Sequence, residues 1–182
     1  ITVNILLAWF LYTMVYSTYG QKYIATEKVQ EKGLSFGDVG KAGGFQNGDK
    51  IISVDGKLQE KFNWMIIDVL LSDKIEIERA GKKEILILTD EQKGKIISTE
   101  GKEFVQPRLK SAVVDSVFPN SEAFKAGLKI NDKIIAVNGK PTDFFDQFSD
   151  ELSKHKNDSI SITVSRTNSQ TNLKALVNRE GK

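Results

Sequence analysis

The sequence predicts an α+β protein: two small, partly open β-barrels capped by helices, behind one apolar helix. Three observations predict it. A 14-residue pattern occurs twice, 83 residues apart. Each copy is followed by an apolar helical pattern and then by two alternating stretches. The first charged residue of the chain is Lys22.

The apolar opening runs from Ile1 to Tyr19. A membrane span needs about 20 largely apolar residues, and this run falls just short. No basic leader or small-residue cleavage site supports a signal peptide. A buried core helix is a second possibility, but no polar face interrupts the run at helical spacing. The expectation is a truncated transmembrane helix, with Tyr12, Tyr16 and Tyr19 suited to a membrane interface. The chain opens on Ile1 rather than Met and is expected to belong to a longer protein.

The repeat aligns Gly44–Lys57 with Gly127–Lys140, identical at 8 of 14 positions. Downstream, Asp73–Ile77 aligns with Asp158–Ile162 at an offset of 85. In the second copy, Ala112–Val117 reads as a β-branched strand. Pro119-Asn120-Ser121 breaks it, and Ser121 suits the cap of a one-turn helix through Ala126. Gly127 suits a left-handed helix end. Asp132–Val137 is the next strand, and Asn138-Gly139 supplies a turn with positive φ. A helix over Thr142–His155 carries Phe144, Phe145, Phe148 and Leu152 on one stripe. Ser159–Arg166 and Leu173–Val177 then alternate as strands.

The first copy repeats this order. Gly33–Phe36 opens it and Asp49–Val54 follows. Its helix carries Phe62, Ile66, Val69 and Leu70, before strands over Ile75–Glu78 and Glu84–Leu88. Little regular structure is expected between Thr89 and Glu103, where Gly94 and Gly101 punctuate. The division is therefore 1–20 apolar helix, 21–90 first unit, 91–109 connector and lead-in strand, and 110–180 second unit.

Composition narrows the chemistry. Net charge is +2 with Lys and Glu interspersed, which gives no broad basic field for nucleic acid. Without cysteine there is no thiolate zinc site and no cysteine nucleophile. The one histidine, His155, sits in the polar run Ser153–Asn157 and reads as a solvated surface residue.

The run Pro119-Asn120-Ser121-x-Ala123-x-x-Ala126-Gly127-Leu128-x-x-Asn131-Asp132-x-Ile134-x-x-Val137-Asn138-Gly139 resembles the core of a bacterial PDZ domain. Gly44-Phe45-x-x-Gly48-Asp49-Lys50-Ile51-Ile52-x-Val54-Asp55-Gly56 resembles it too, although Gly37–Ala42 departs from the usual Pro-x-Ser-x-Ala run. Asn4-Ile5-Leu6-Leu7-Ala8 resembles the Asn-x-x-x-Ala motif that opens a transmembrane helix in the site-2 protease family of membrane zinc metalloproteases. The order of helix and two PDZ units is similar to that family's regulator-of-sigma-E branch.

The resemblance implies two PDZ-like partly open β-barrels on the extracytoplasmic side of a bacterial inner membrane. It implies a membrane protein substrate or peptide tail as partner, a lipid bilayer around residues 1–19, no nucleic acid, and zinc in the full-length enzyme. The zinc ligands come from a His-Glu-x-x-His helix and an Asp-Gly motif on another membrane helix. This chain has no His-Glu-x-x-His, and Asp55-Gly56 reads as turn chemistry, so no catalytic, metal-ligating or cofactor residue is assigned here.

A PDZ domain binds an extended peptide as an added strand, with a helix as the other groove wall. For the second unit the expected groove residues are Phe104, Val105, Phe148 and Leu152; for the first, Tyr23, Ile24, Ile66 and Leu70. Plain core packing is the competing reading for each of these apolar residues. The expected role is gating of a membrane-buried active site. The alternatives are a membrane-anchored PDZ scaffold without a protease and the PDZ region of an envelope serine protease.

Overall fold

Residues 2–20, 22–110, 113–167 and 169–179 are described by the computed structural model. Helix α1 (Thr2–Tyr19) comes first, with every residue exposed. Its 18 residues span about 27 Å at 1.5 Å per residue. Among the described residues no helix is long and apolar enough to cross a membrane.

The first unit then runs α2 (Thr26–Val29), β1 (Leu34–Phe36), α3 (Asp38–Ala42), β2 (Lys50–Val54), β3 (Lys57–Leu58), α4 (Phe62–Leu71), β4 (Ile75–Arg79) and β5 (Lys82–Leu86). Two further elements follow, α5 (Asp90–Ser98) and β6 (Val105–Pro107). The second unit comprises α6 (Glu122–Lys125), β7 (Lys133–Val137), β8 (Lys140–Pro141), α7 (Phe145–Lys154), β9 (Ser159–Arg166) and β10 (Ser169–Leu176).

Each unit holds a four-stranded antiparallel sheet of the same topology, β3-β2-β4-β5 in one and β8-β7-β9-β10 in the other. Apolar side chains alternate inward: Ile51, Ile75 and Ile77 are buried in the first unit, Ile134, Ile160, Ile162 and Val164 in the second. Both sheets carry an irregularity at the same place, between Ile51 and Ser53 and between Ile134 and Ala136. Val54 pairs with Ile75, and Val137 pairs with Ile162. The true offset over these last strands is therefore 87, not 85. The longer turn after α7 and an earlier start of β9 absorb the extra residues.

The short helices follow their caps. Ser121 accepts a hydrogen bond from the Phe124 amide at the start of α6, as its sequence suggests. Gly127, at φ +82°, ends that turn in the left-handed region. The helix α3 forms despite its unusual sequence.

Two expectations fail here. The connector is not irregular: Thr89 and Gln92 form a capping box that starts α5, and Ile96 is buried under it. The strand expected over Ala112–Val117 is also absent as a regular element. Ala112 lies outside the described residues, and from Val113 onward there is one isolated bridge, Val113 to Lys133.

The most consequential feature is β6. It pairs antiparallel with β1, with Phe36 opposite Val105 and Leu34 opposite Pro107. Phe104 joins Phe36 and Phe45 in an aromatic cluster, with ring centroids 6.0 and 5.3 Å away and edge-on geometry. The segment expected to open the second unit thus fills the core of the first.

Arg108 joins the two units directly after β6. Its guanidinium makes a forked contact with Asp146 at 3.0–3.2 Å and lies 3.8 Å over the Phe144 ring. One nitrogen also reaches the Lys32 carbonyl of the first unit, at 3.4 Å. Asp150 adds hydrogen bonds from Lys41 and Asn47. A lysine keeps the charge at position 108 but loses both the fork and the stacking. We expect Arg108→Lys to leave both units folded, to cost about 1–2 kcal/mol at the junction, and to broaden the inter-unit orientation seen by residual dipolar couplings.

Candidate peptide groove

Helix α4 presents Phe62, Ile66 and Leu70, each a turn apart and half-buried, against a core that includes Phe104 and Val105. The loop entering β6 lies directly against this helix. A Cβ at Gly101 would stand 3.1 Å from Ile66 Cδ1, and its φ of +72° is one that L side chains rarely adopt. Gly101 therefore permits both the turn and the close approach.

On its far side from β1, β6 has no strand partner among the described residues. Pro107 ends it, as suits a strand at a sheet edge, because proline donates no amide. Helix α5 closes one end of the groove: Lys93 Nζ donates to the Ser72 carbonyl at the C-cap of α4, 2.6 Å away. The result is an apolar helix flank beside a short strand with an open edge. That geometry suits an added extended peptide.

The expected groove residues are thus redistributed. Phe104 and Val105, assigned to the second unit, belong to the core of the first, against which Ile66 and Leu70 pack. Burial explains the correction: Phe104 is fully buried, edge-on to Phe36 and Phe45 of the first core. Phe148 and Leu152 pack half-buried on the second core, and among the described residues no strand stands beside α7 in the place of β6. Tyr23 and Ile24 are about half exposed, and Ile24 accepts from the Phe62 amide at the start of α4. The Nζ of Lys61, the N-cap residue of α4, lies 5.5 Å from the Tyr23 ring centroid.

The repeat extends to these lead-ins. Leu109 accepts from the Phe145 amide as Ile24 does from Phe62, and Lys110 bridges Phe144 as Ala25 bridges Lys61. Beside each lies a cleft, about 640 Å³ lined by Tyr23, Lys50 and Ile52, and about 490 Å³ lined by Val113, Lys133 and Ile135. The adjacent phenylalanines at the start of α7 do not share one environment. Phe145 is 46% exposed, while Phe144 is sheltered under Arg108.

Charge is used structurally. Asp49 accepts two hydrogen bonds from Arg79, at 2.9 and 2.7 Å, and Asp132 two from Arg166, both at 2.7 Å. Each arginine also donates to the carbonyl of a turn glycine, Gly44 or Gly127. The Arg166 guanidinium holds the Asp132 carboxyl below its usual range. The sequence reading missed both arginines. Their signal was a basic residue 87 apart at matching strand ends, hidden by the offset of 85.

Asp55 has φ +48° and accepts from the amides of Asp73 and Lys74, which is turn chemistry. His155 is partly exposed beside Asn138 and Asp158. Among the described residues no three His, Asp or Glu side chains converge on a point where a metal would sit.

Comparison with known protein families matches residues 87–177 to the PDZ domain. The matched span begins at Ile87, so it takes in α5 and β6 although their side chains complete the first core. A search among curated proteins found no match. Among solved structures, a protein of Geobacillus thermodenitrificans is similar at 30% identity, over 38% of this chain and 79% of that one, with a TM-score of 0.34. The HtrA-type protease AlgW with a decapeptide is similar at 16% identity, over 59% of this chain and 42% of that one, with a TM-score of 0.34. The serine endoprotease of Yersinia pestis is similar at 17% identity, over 59% and 43%, also with a TM-score of 0.34. The chain spans under half the length of either protease. With half its residues matched by that one family, the chain belongs to the PDZ domain family.

Proposed function

We propose that the chain is the peptide-binding, tandem PDZ segment of a membrane zinc metalloprotease of the site-2 type, gating access to an active site buried in the bilayer. The observation that carries this reading is α1. It carries no charged residue and is exposed along its whole length, with Trp9 at 66% and Leu7 at 55%. A helix of that kind needs another apolar environment, and a bilayer supplies one. Thr13 and Thr18 turn their hydroxyls back to the carbonyls of Trp9 and Met14, as a polar side chain in lipid must. The Asn4-Ile5-Leu6-Leu7-Ala8 motif on that helix, ahead of two PDZ units, supports the family assignment.

In this reading Tyr16 and Tyr19 lie at the extracytoplasmic interface and the two units stand above the bilayer. The groove between α4 and β6 receives a substrate tail by strand addition, with Phe62, Ile66 and Leu70 favouring apolar side chains. Zinc belongs to other parts of the full-length enzyme, where it would activate a water for peptide hydrolysis. The residues of this chain bind and position.

The test is deletion of residues 21–178 from the full-length protein. Gating predicts that the deleted enzyme cleaves intact substrates without prior trimming. Loss of all cleavage would mean that the units recruit substrate instead.

A further inference from the structure

The two units differ in one respect that their common layout makes visible. In the first, Leu34 exchanges backbone hydrogen bonds with the pair Gly48 and Asp49; in the second, Val114 does so with Asn131 and Asp132. Leu34 and Val114 are therefore equivalent positions. Leu34 and Phe36 are 0% and 2% exposed, covered by β6 and the Phe104 ring. Val114 is half-buried and Ser116 exposed. Phe45 is buried, while its counterpart Leu128 is half-buried.

Around that second position stand Val113 at 56%, Phe118 at 76% and Phe124 at 56% exposure. Among the described residues, Asp115, Ser116 and Val117 take no backbone hydrogen bond from another segment. An open edge ringed by exposed apolar side chains is a surface that a strand covers.

The occupant is indicated by the first unit. There the cover comes from downstream of the last hairpin: β5 ends at Leu86, α5 packs against α3, and β6 returns to β1. What it brings is a glycine in a left-handed turn, Gly101, then the buried aromatic Phe104 and the β-branched Val105. We propose that the edge at residues 113–117 is completed in the same way, by an extended strand of the longer polypeptide that carries an aromatic residue followed by a β-branched one. The strand runs antiparallel to 113–117 and takes the place beside α7 that β6 holds beside α4. Only then does Phe148 and Leu152 face a second groove wall. This rests on the reading of the chain as part of a longer protein.

The test compares amide hydrogen exchange in this chain and in the full-length protein, with the synthetic peptide Gly-Lys-Glu-Phe-Val-Gln-Pro (residues 101–107) as probe. In this chain, residues 113–117 should exchange at least tenfold faster than Leu34–Phe36. Millimolar peptide should slow them, and the same peptide with alanine for its phenylalanine should not. In the full-length protein the edge should be protected without peptide. Three results overturn the proposal: equal protection of the two edges in this chain, no response of 113–117 to peptide, or an edge that stays open in the full-length protein and takes the peptide there, which would point to a separate partner. The second of these, with slowed exchange confined to residues 62–71 and 101–107, would still sustain peptide binding by the first unit.

Discussion

Phe104→Ala is expected to unfold the first unit before the second, at a cost of about 3–5 kcal/mol. The ring is fully buried and closes a trio with Phe36 and Phe45, which stack at 4.7 Å. Truncation removes its transfer free energy and leaves a cavity that β1, α3 and α4 are too rigid to close. The effect is diagnostic because Phe104 lies inside the span matched to the PDZ family, most of which is the second unit. If β6 belonged to that unit, its denaturation would shift instead. Urea unfolding followed by residue-resolved NMR distinguishes the two.

Arg79→Ala should be comparably severe, at about 3–5 kcal/mol, because it strands the Asp49 carboxylate, whose side chain is 1% exposed. The guanidinium also holds Glu84 and the Gly44 carbonyl, so the turn before β2 loosens as well. Arg166→Ala is the matching lesion in the second unit, where the Asp132 side chain is completely buried. There the pH dependence carries a sign. The hydrogen bonds from Arg166 depress the Asp132 pKa in the folded state. Its stabilisation is therefore complete above the unfolded carboxylate value, about 4, and is lost as pH falls through the lower folded value. Thermal melts of the second unit should weaken over that acid range, and Arg166→Ala should remove that part of the dependence.

How much of this was legible depends on how local each signal is. The repeated turn and strand around Asp49 and Asp132 read directly, because cap, turn glycine and alternation sit within a few residues of one another. The apolar spacing of Phe62, Ile66, Val69 and Leu70 likewise locates helix α4. By contrast α5 hides its one buried residue, Ile96, in a polar run. Thr89 and Gln92 were the available clue, a capping pair three residues apart. The pairing of β6 with β1 joins residues about 70 positions apart, and nothing in a three-residue strand names its partner. For that reason the sequence places Phe104 and Val105 with the second unit, whereas they pack in the core of the first.

Peptide binding between α4 and β6 is tested most directly by an NMR titration of the whole chain. The probe is a mixture of extended peptides with apolar side chains at alternate positions. Amide shifts are expected to concentrate at residues 101–107 and along Phe62, Ile66 and Leu70. Shifts gathered instead around Tyr23, Lys50 and Ile52, or none at millimolar peptide, would contradict binding there.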